Sequence, residues 1–169
     1  MVVAITRFII CFIFLYSFIT KLHDFKSFEN AILNFQLLPK SLHRVTAIGL
    51  MLLELLIVVM ALFGGTWLFP AYGLSIVLLA IFIYVLNSVL QRKIQTSCNC
   101  FGTTEREVSV YDIWRNVIIC LVSGIGLLRL FMSGSNDPDI LNLALSVVVA
   151  LVVSLLILNL RELAEVLAI

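Results

Sequence analysis

Arg44–Phe63 reads RVTAIGLMLLELLIVVMALF and, after Gly64-Gly65-Thr66, Trp67–Leu90 reads WLFPAYGLSIVLLAIFIYVLNSVL. Crossing a bilayer takes roughly 17–25 mostly apolar residues, and both runs qualify. A link of three residues, two of them glycine, turns the chain straight back. The pair therefore reads as a transmembrane helical hairpin. Val2–Thr20 upstream, with Ile113–Met132 and Ile140–Leu160 downstream, are three further spans, the last two joined by the turn-rich segment 133–139. The predicted fold class is all-α. A four-helix transmembrane bundle with a C-terminal fifth transmembrane helix makes a polytopic membrane protein, one domain over residues 1–169.

Composition points the same way. Of 169 residues, 62% are hydrophobic and 12% charged, against about 25% charged in soluble domains. A net charge of +1 gives no case for nucleic acid; the expected surroundings are a lipid bilayer. Four cysteines are too few and too scattered for a secreted disulfide scaffold. The apolar start behind Arg7 has no small-x-small cleavage site before Lys21, so it reads as a retained anchor.

Two connections are long. From Lys21 to His43, Leu22, Phe25, Phe28, Ile32 and Phe35 fall at helical spacing with Asp24, Lys26, Glu29 and Asn30 between them. That predicts an interfacial amphipathic helix over about residues 24–37, stopped near Pro39. The other connection, 91–112, carries Cys98-Asn99-Cys100-Phe101-Gly102 and ends in Ser109-Val110-Tyr111-Asp112, which fits a capping box opening the next span. Two spans separate the connections, so both fall on one side of the membrane.

Cys98 and Cys100 are the densest reactive chemistry in the chain. A disulfide needs Cα atoms roughly 4.4–6.8 Å apart, so a bridge here bends the backbone. Strained bridges are the labile, oxidising ones, which suits exchange rather than stapling. Arg92, Lys93 and Arg106 flank the pair, and cations favour the nucleophilic thiolate. Metal binding with His23 and His43 is the rival reading, although the spacing matches no known zinc module and no metal is expected. A non-catalytic membrane assembly factor is the third.

Within the spans, Glu54 stands out because a charge buried in hydrocarbon is costly and usually functional. Counting a rise of about 1.5 Å per residue from the Cys-loop side puts Cys11, Glu54 and Cys120 at similar depth. The two thiols are candidates for a relay or simply small packing residues. Arg115 and Asn116 open the fourth span near the Cys loop; Arg115 is either a snorkelling side chain or a cation for a thiolate or quinone head group. Orientation draws two opposed expectations. Lys26, Lys40, Arg44, Arg92, Lys93 and Arg106, with Arg161 in the C-terminal tail, make the Cys side the positive, cytoplasmic one, whereas disulfide-making chemistry favours the outer face.

Taken in order, Arg7, Lys21, Leu37-Leu38-Pro39, Glu54, Cys98-x-Cys100-Phe101-Gly102 and Arg115-Asn116 resemble the MauE family of methylamine-utilisation membrane proteins, within the DoxX-like group. The Cys-x-Cys-Phe-Gly element is the most specific part. Phe18 departs from the pattern, since the family tends to place glycine three residues before the lysine. The resemblance implies a helical protein of the plasma membrane that works with thioredoxin-like partners in disulfide formation or client maturation. It implies Cys98 and Cys100 as the redox pair, with Lys21, Glu54 and Arg115 as polar residues in or at the edge of the bundle. The expected activity is thiol–disulfide exchange with a thioredoxin-like or client thiol protein. A membrane quinone is the electron sink that the location suggests.

Overall fold

The computed structural model describes residues 1–35, 42–92, 109–133, 140–160 and 162. Among them there are six α-helices and no strand: α1 Val2–His23, α2 Phe25–Asn34, α3 His43–Phe63, α4 Leu68–Gln91, α5 Val110–Ser133 and α6 Ile140–Leu158. A 3₁₀ turn, Gly65–Trp67, leads into α4. Five of the helices are long and apolar enough to cross a membrane; α2 is the short one. The protein is an all-α polytopic membrane protein.

α1 is the axle of the bundle. It packs against α3, α5 and α6, while α3 and α5 each also pack on α4. Its buried residues, among them Ile9, Ile10, Cys11, Ile13 and Phe14, cover more than half of the helix circumference, a wide apolar face for a helix with several neighbours, while Tyr16 and Ile19 on the remaining face are exposed. The buried ones join Ile57 and Val58 of α3, Leu78 and Leu79 of α4, and Ile119 and Leu130 of α5 in one core.

The α3–α4 hairpin turns on Gly64 at φ 71° and Gly65 at φ 56°, backbone that side-chain-bearing residues rarely adopt. A Cβ on Gly64 would also lie 2.7 Å from Nη1 of Arg7. Arg7 comes this close because it caps α3. Its Nε donates to the Ala61 carbonyl and its Nη2 to the Leu62 carbonyl, both at 2.6 Å. The last carbonyls of a helix lack partners within it and carry partial negative charge, so a cation from α1 serves them well.

A second junction lies nearby. The Thr6 and Tyr72 hydroxyls are 2.8 Å apart, and Tyr72 donates to the Val3 carbonyl at 3.2 Å. Gly126 of α5 faces both: a Cβ there would fall 2.4 Å from the Tyr72 ring and 2.8 Å from Thr6 Oγ1. Only glycine lets α5 approach so closely.

α2 follows α1 after one residue. Asp24 caps it, its carboxylate accepting from the Ser27 N–H at 3.2 Å. The apolar face is turned onto the bundle: Phe28 and Ile32 pack with Ala47 and Met51 of α3, with Phe18 against them, and Ala31 and Phe35 pack with Val89 of α4. Leu22, expected on that face, is exposed because it belongs to α1. α5 starts three residues before the expected Ile113, at Val110, where the Ser109 N–H and hydroxyl donate to Asp112 Oδ2 at 2.9 and 3.3 Å. One half of the expected capping box is formed, the carboxylate reaching back to the backbone N–H.

Candidate functional site

Lys21 is three residues from the end of α1 counting itself, a place from which a lysine ordinarily snorkels to water. Here it is 1% exposed, as is Glu54 of α3, and the two form a buried ion pair. A helical side chain leans toward the helix N-terminus, and Lys21 does so: its Nζ donates to Ser17 Oγ, one turn back, at 3.0 Å. Ser17 in turn donates to Glu54 Oε1 at 3.0 Å, the same oxygen that accepts from Lys21. The ring of Phe28 lies 4.9 Å from the ammonium and that of Phe82 5.1 Å. Aromatic faces attract cations, so α2 and α4 complete the enclosure that α1 and α3 begin.

Asn116 belongs to the same end of the bundle. It is 3% exposed, and its Nδ2 donates to the Asp112 carbonyl at 2.8 Å. Arg115 is mostly buried and pairs with Asp112 across one turn at 3.2 Å. Asp112 thus holds the start of α5 twice, through Ser109 and through Arg115.

The depth expectation needs correction. Ser17 fixes the level of Glu54 on α1, and Cys11 lies six residues, about 9 Å, deeper. Carboxylate and thiol do not share a layer. The count assumed that α1 and α3 begin at one surface, whereas α1 gives way to α2 at His23 and α3 starts from a higher point. Cys11 and Cys120 are both free thiols, the first buried and the second half-buried, in or against the main core. α1 and α5 are neighbours. Cys120 stands six residues from Gly126, about 120° round the helix from the point that meets Thr6.

Cys98 and Cys100 lie outside the described residues. Of the two histidines, His23 is exposed, whereas His43 is 3% exposed at the start of α3 and is not a solvated loop residue. Among the described residues, no three His, Cys, Asp or Glu side chains come together.

Ser17, Phe28, Phe82 and Asp112 were not singled out by sequence as site residues. Ser17 had a signal, standing four residues before Lys21 on the same face. Asp112 was read only as a cap. Nothing in sequence distinguishes Phe28 or Phe82 from the other phenylalanines.

A bundle of five membrane-spanning helices around a buried Lys–Glu pair, with a cysteine pair in the connection between two spans, defines a small integral membrane protein with an intramembrane polar site. The family model for methylamine utilisation protein MauE matches residues 1–129, and the chain belongs to that family. The match includes all of α1 to α4, nearly all of α5, the ion pair and Cys98-x-Cys100; α6 lies beyond it. No curated protein and no solved structure matches the chain.

Proposed function

We propose that this MauE-family protein is a membrane thiol–disulfide oxidoreductase in which Cys98 and Cys100 form the redox pair. A client thiolate attacks the Cys98–Cys100 disulfide and forms a mixed disulfide. A second client thiolate then displaces the loop sulfur. The client leaves with a disulfide, and the loop pair holds two electrons and two protons as a dithiol. A thioredoxin-like protein is the partner on either side of this exchange. A membrane quinone, taking the two electrons and two protons to become a quinol, restores the loop disulfide; its part rests on location in the bilayer alone.

The observation that carries the reading is the family match, which includes the Cys-x-Cys motif together with Lys21 and Glu54. Local geometry lends support. α4 ends at Gln91 and α5 opens at Val110 behind the Asp112 clasp, at the end of the bundle where Lys21 and Glu54 are buried. The described residues on either side of the connection, Gln91 and Ser109, thus lie toward the end of the bundle at which Lys21 and Glu54 are buried.

The test is Cys98→Ser and Cys100→Ser, separately, in a client-maturation assay. Each is expected to abolish activity, and one of them to trap a mixed disulfide visible on a non-reducing gel, since a lone thiol can attack but nothing resolves the product. Full activity in both variants would exclude the redox role. Loss of a stoichiometric metal from the pure variants would assign the pair to metal binding instead.

A further inference from the structure

A groove of about 270 Å³ runs between α1 and α6, close to the roughly 300 Å³ at which ligand clefts begin. Phe12, Tyr16 and Ile19 line it from α1, and Leu151, Leu155 and Leu158 from α6. α6 packs along α1 and scarcely touches α5, so the flank between them stays open to lipid. The lining is almost all hydrocarbon and aromatic ring. Of its two hydroxyls, that of Ser154 donates to the Ala150 carbonyl, one turn back in its own helix, at 2.7 Å. The phenol of Tyr16, a residue 43% exposed, is the donor left for a ligand.

The groove is separate from the ion pair. Tyr16 adjoins Ser17, which bonds Glu54, so it shares that level; Lys21, five residues on, points about 140° away round α1. Tyr16 also stands seven residues before the end of α1 at His23, about 10 Å inside it. It lies within electrostatic reach of Arg115, which pairs with Asp112, the residue that clasps Ser109. One wall of the groove is thus near the end of α5 that the Cys-bearing connection joins.

Depth and chemistry select among what a bilayer offers. A phospholipid keeps its polar head at the water boundary and presents only saturated chain at this level, where a phenol without an acceptor is costly. A prenylated quinone carries a flat ring, two carbonyl acceptors and an apolar tail, and the whole molecule dissolves in hydrocarbon. We propose that the groove binds a membrane quinone, one ring carbonyl accepting from the Tyr16 hydroxyl, the ring against Phe12 one turn along α1, and the tail leaving into lipid. The inference rests on the redox reading for its purpose. The two S–H bonds of the Cys98/Cys100 dithiol give up two electrons and two protons, an S–S bond forms, and the two quinone carbonyls become the hydroxyls of a quinol. The groove supplies a site where location in the bilayer alone does not. Its α6 wall lies beyond the family match.

The test is photolabelling of the protein in phosphatidylcholine nanodiscs with an azido-benzoquinone bearing a short isoprenoid tail. Label is expected on residues 12–19 and 151–158, displaced by decylubiquinone and not by decanol. Tyr16→Phe removes one oxygen from an exposed side chain and should weaken that displacement about 5-fold. Leu155→Trp fills the groove and should abolish the specific label. The Cys98→Ser/Cys100→Ser protein should label as the wild type does, since binding is read without turnover. Label spread over every lipid-facing helix, or displaced equally by decanol, would mean a groove for hydrocarbon only and would overturn the proposal, as would equal affinity in Tyr16→Phe. Failure of the redox reading looks different: full client-maturation activity in both single cysteine variants.

Discussion

Replacing Lys21 and Glu54 singly and together separates what the pair does for stability from what it does for activity. Removing one partner of a buried ion pair costs about 3–5 kcal/mol, because the other charge is left uncompensated. The two singles should not be equal. In Glu54→Gln the amide oxygen still accepts from Lys21 and Ser17, and the Phe28 and Phe82 rings still face the ammonium. That places this variant near the low end, about 3 kcal/mol. In Lys21→Met the carboxylate keeps only the Ser17 bond, and aromatic faces offer an anion nothing, so the loss lies nearer about 5 kcal/mol. Lys21→Met/Glu54→Leu removes both charges and is expected to be as stable as wild type or more so. The assay is the temperature at which half the protein leaves the monomer peak on gel filtration. At about 2–4 °C per kcal/mol for a chain of this size, Glu54→Gln should fall by about 6–12 °C and Lys21→Met further. A double variant as unstable as either single, or the reverse order of the singles, would refute the reasoning. If the double variant is stable but inactive in client maturation, the pair is functional.

Other outcomes are equally specific. Gly126→Ala puts a methyl into the Tyr72 ring and Thr6 and should destabilise by about 1–3 kcal/mol, read on the same gel-filtration curve. Arg7→Met gives up both bonds to the α3 carbonyls and should cost about 1.5–3 kcal/mol, with faster amide hydrogen exchange confined to the end of α3. Phe28→Leu keeps the apolar contact but removes the ring from Lys21, a loss of about 0.5–2 kcal/mol that should vanish when measured in the Lys21→Met/Glu54→Leu background. Cys11→Ala/Cys120→Ala should leave turnover normal if both thiols only pack, and abolish it if they relay electrons.

The fold was legible because hydrocarbon imposes few options. Long apolar runs, a Gly-Gly link and a Ser-to-Asp cap are local signals, and each corresponds to a described element. The site was legible only in part. Lys21 and Glu54 could be named singly, since a charge in an apolar run is conspicuous, but their pairing depends on how far α1 and α3 are slid past each other. Depth counting from a common surface put Glu54 beside Cys11; the side-chain bond to Ser17 puts it about 9 Å away. His43 likewise looked like a loop residue because Pro39 lay near, yet the chain enters α3 there and buries it.

The polar contacts have a further consequence for how the bundle holds its register. Lipid tails are as apolar as the helix faces, so burial alone does not tell one helix alignment from another. What distinguishes them is a contact that works in only one register. α1 and α3 have two, Arg7 on the Ala61 and Leu62 carbonyls at one end and Lys21 on Glu54 toward the other. Sliding α1 by one turn, about 5.4 Å, breaks both at once. α4 and α5 are tied to α1 where Tyr72, Thr6 and Gly126 meet. α6 has no such tie among the described residues: Ser146 and Ser154 turn their hydroxyls to carbonyls of their own helix. The helix that lies beyond the family match is thus held to α1 by packing alone among the described contacts, whereas α1, α3 and α4 are pinned by hydrogen bonds and charge and α5 by its close approach at Gly126. That difference predicts where the structure opens first. Under mild heating in detergent, amide exchange should appear in α6 before any of the other spans, and a bundle in which α1 and α6 exchange together would show that packing on this face suffices to fix register.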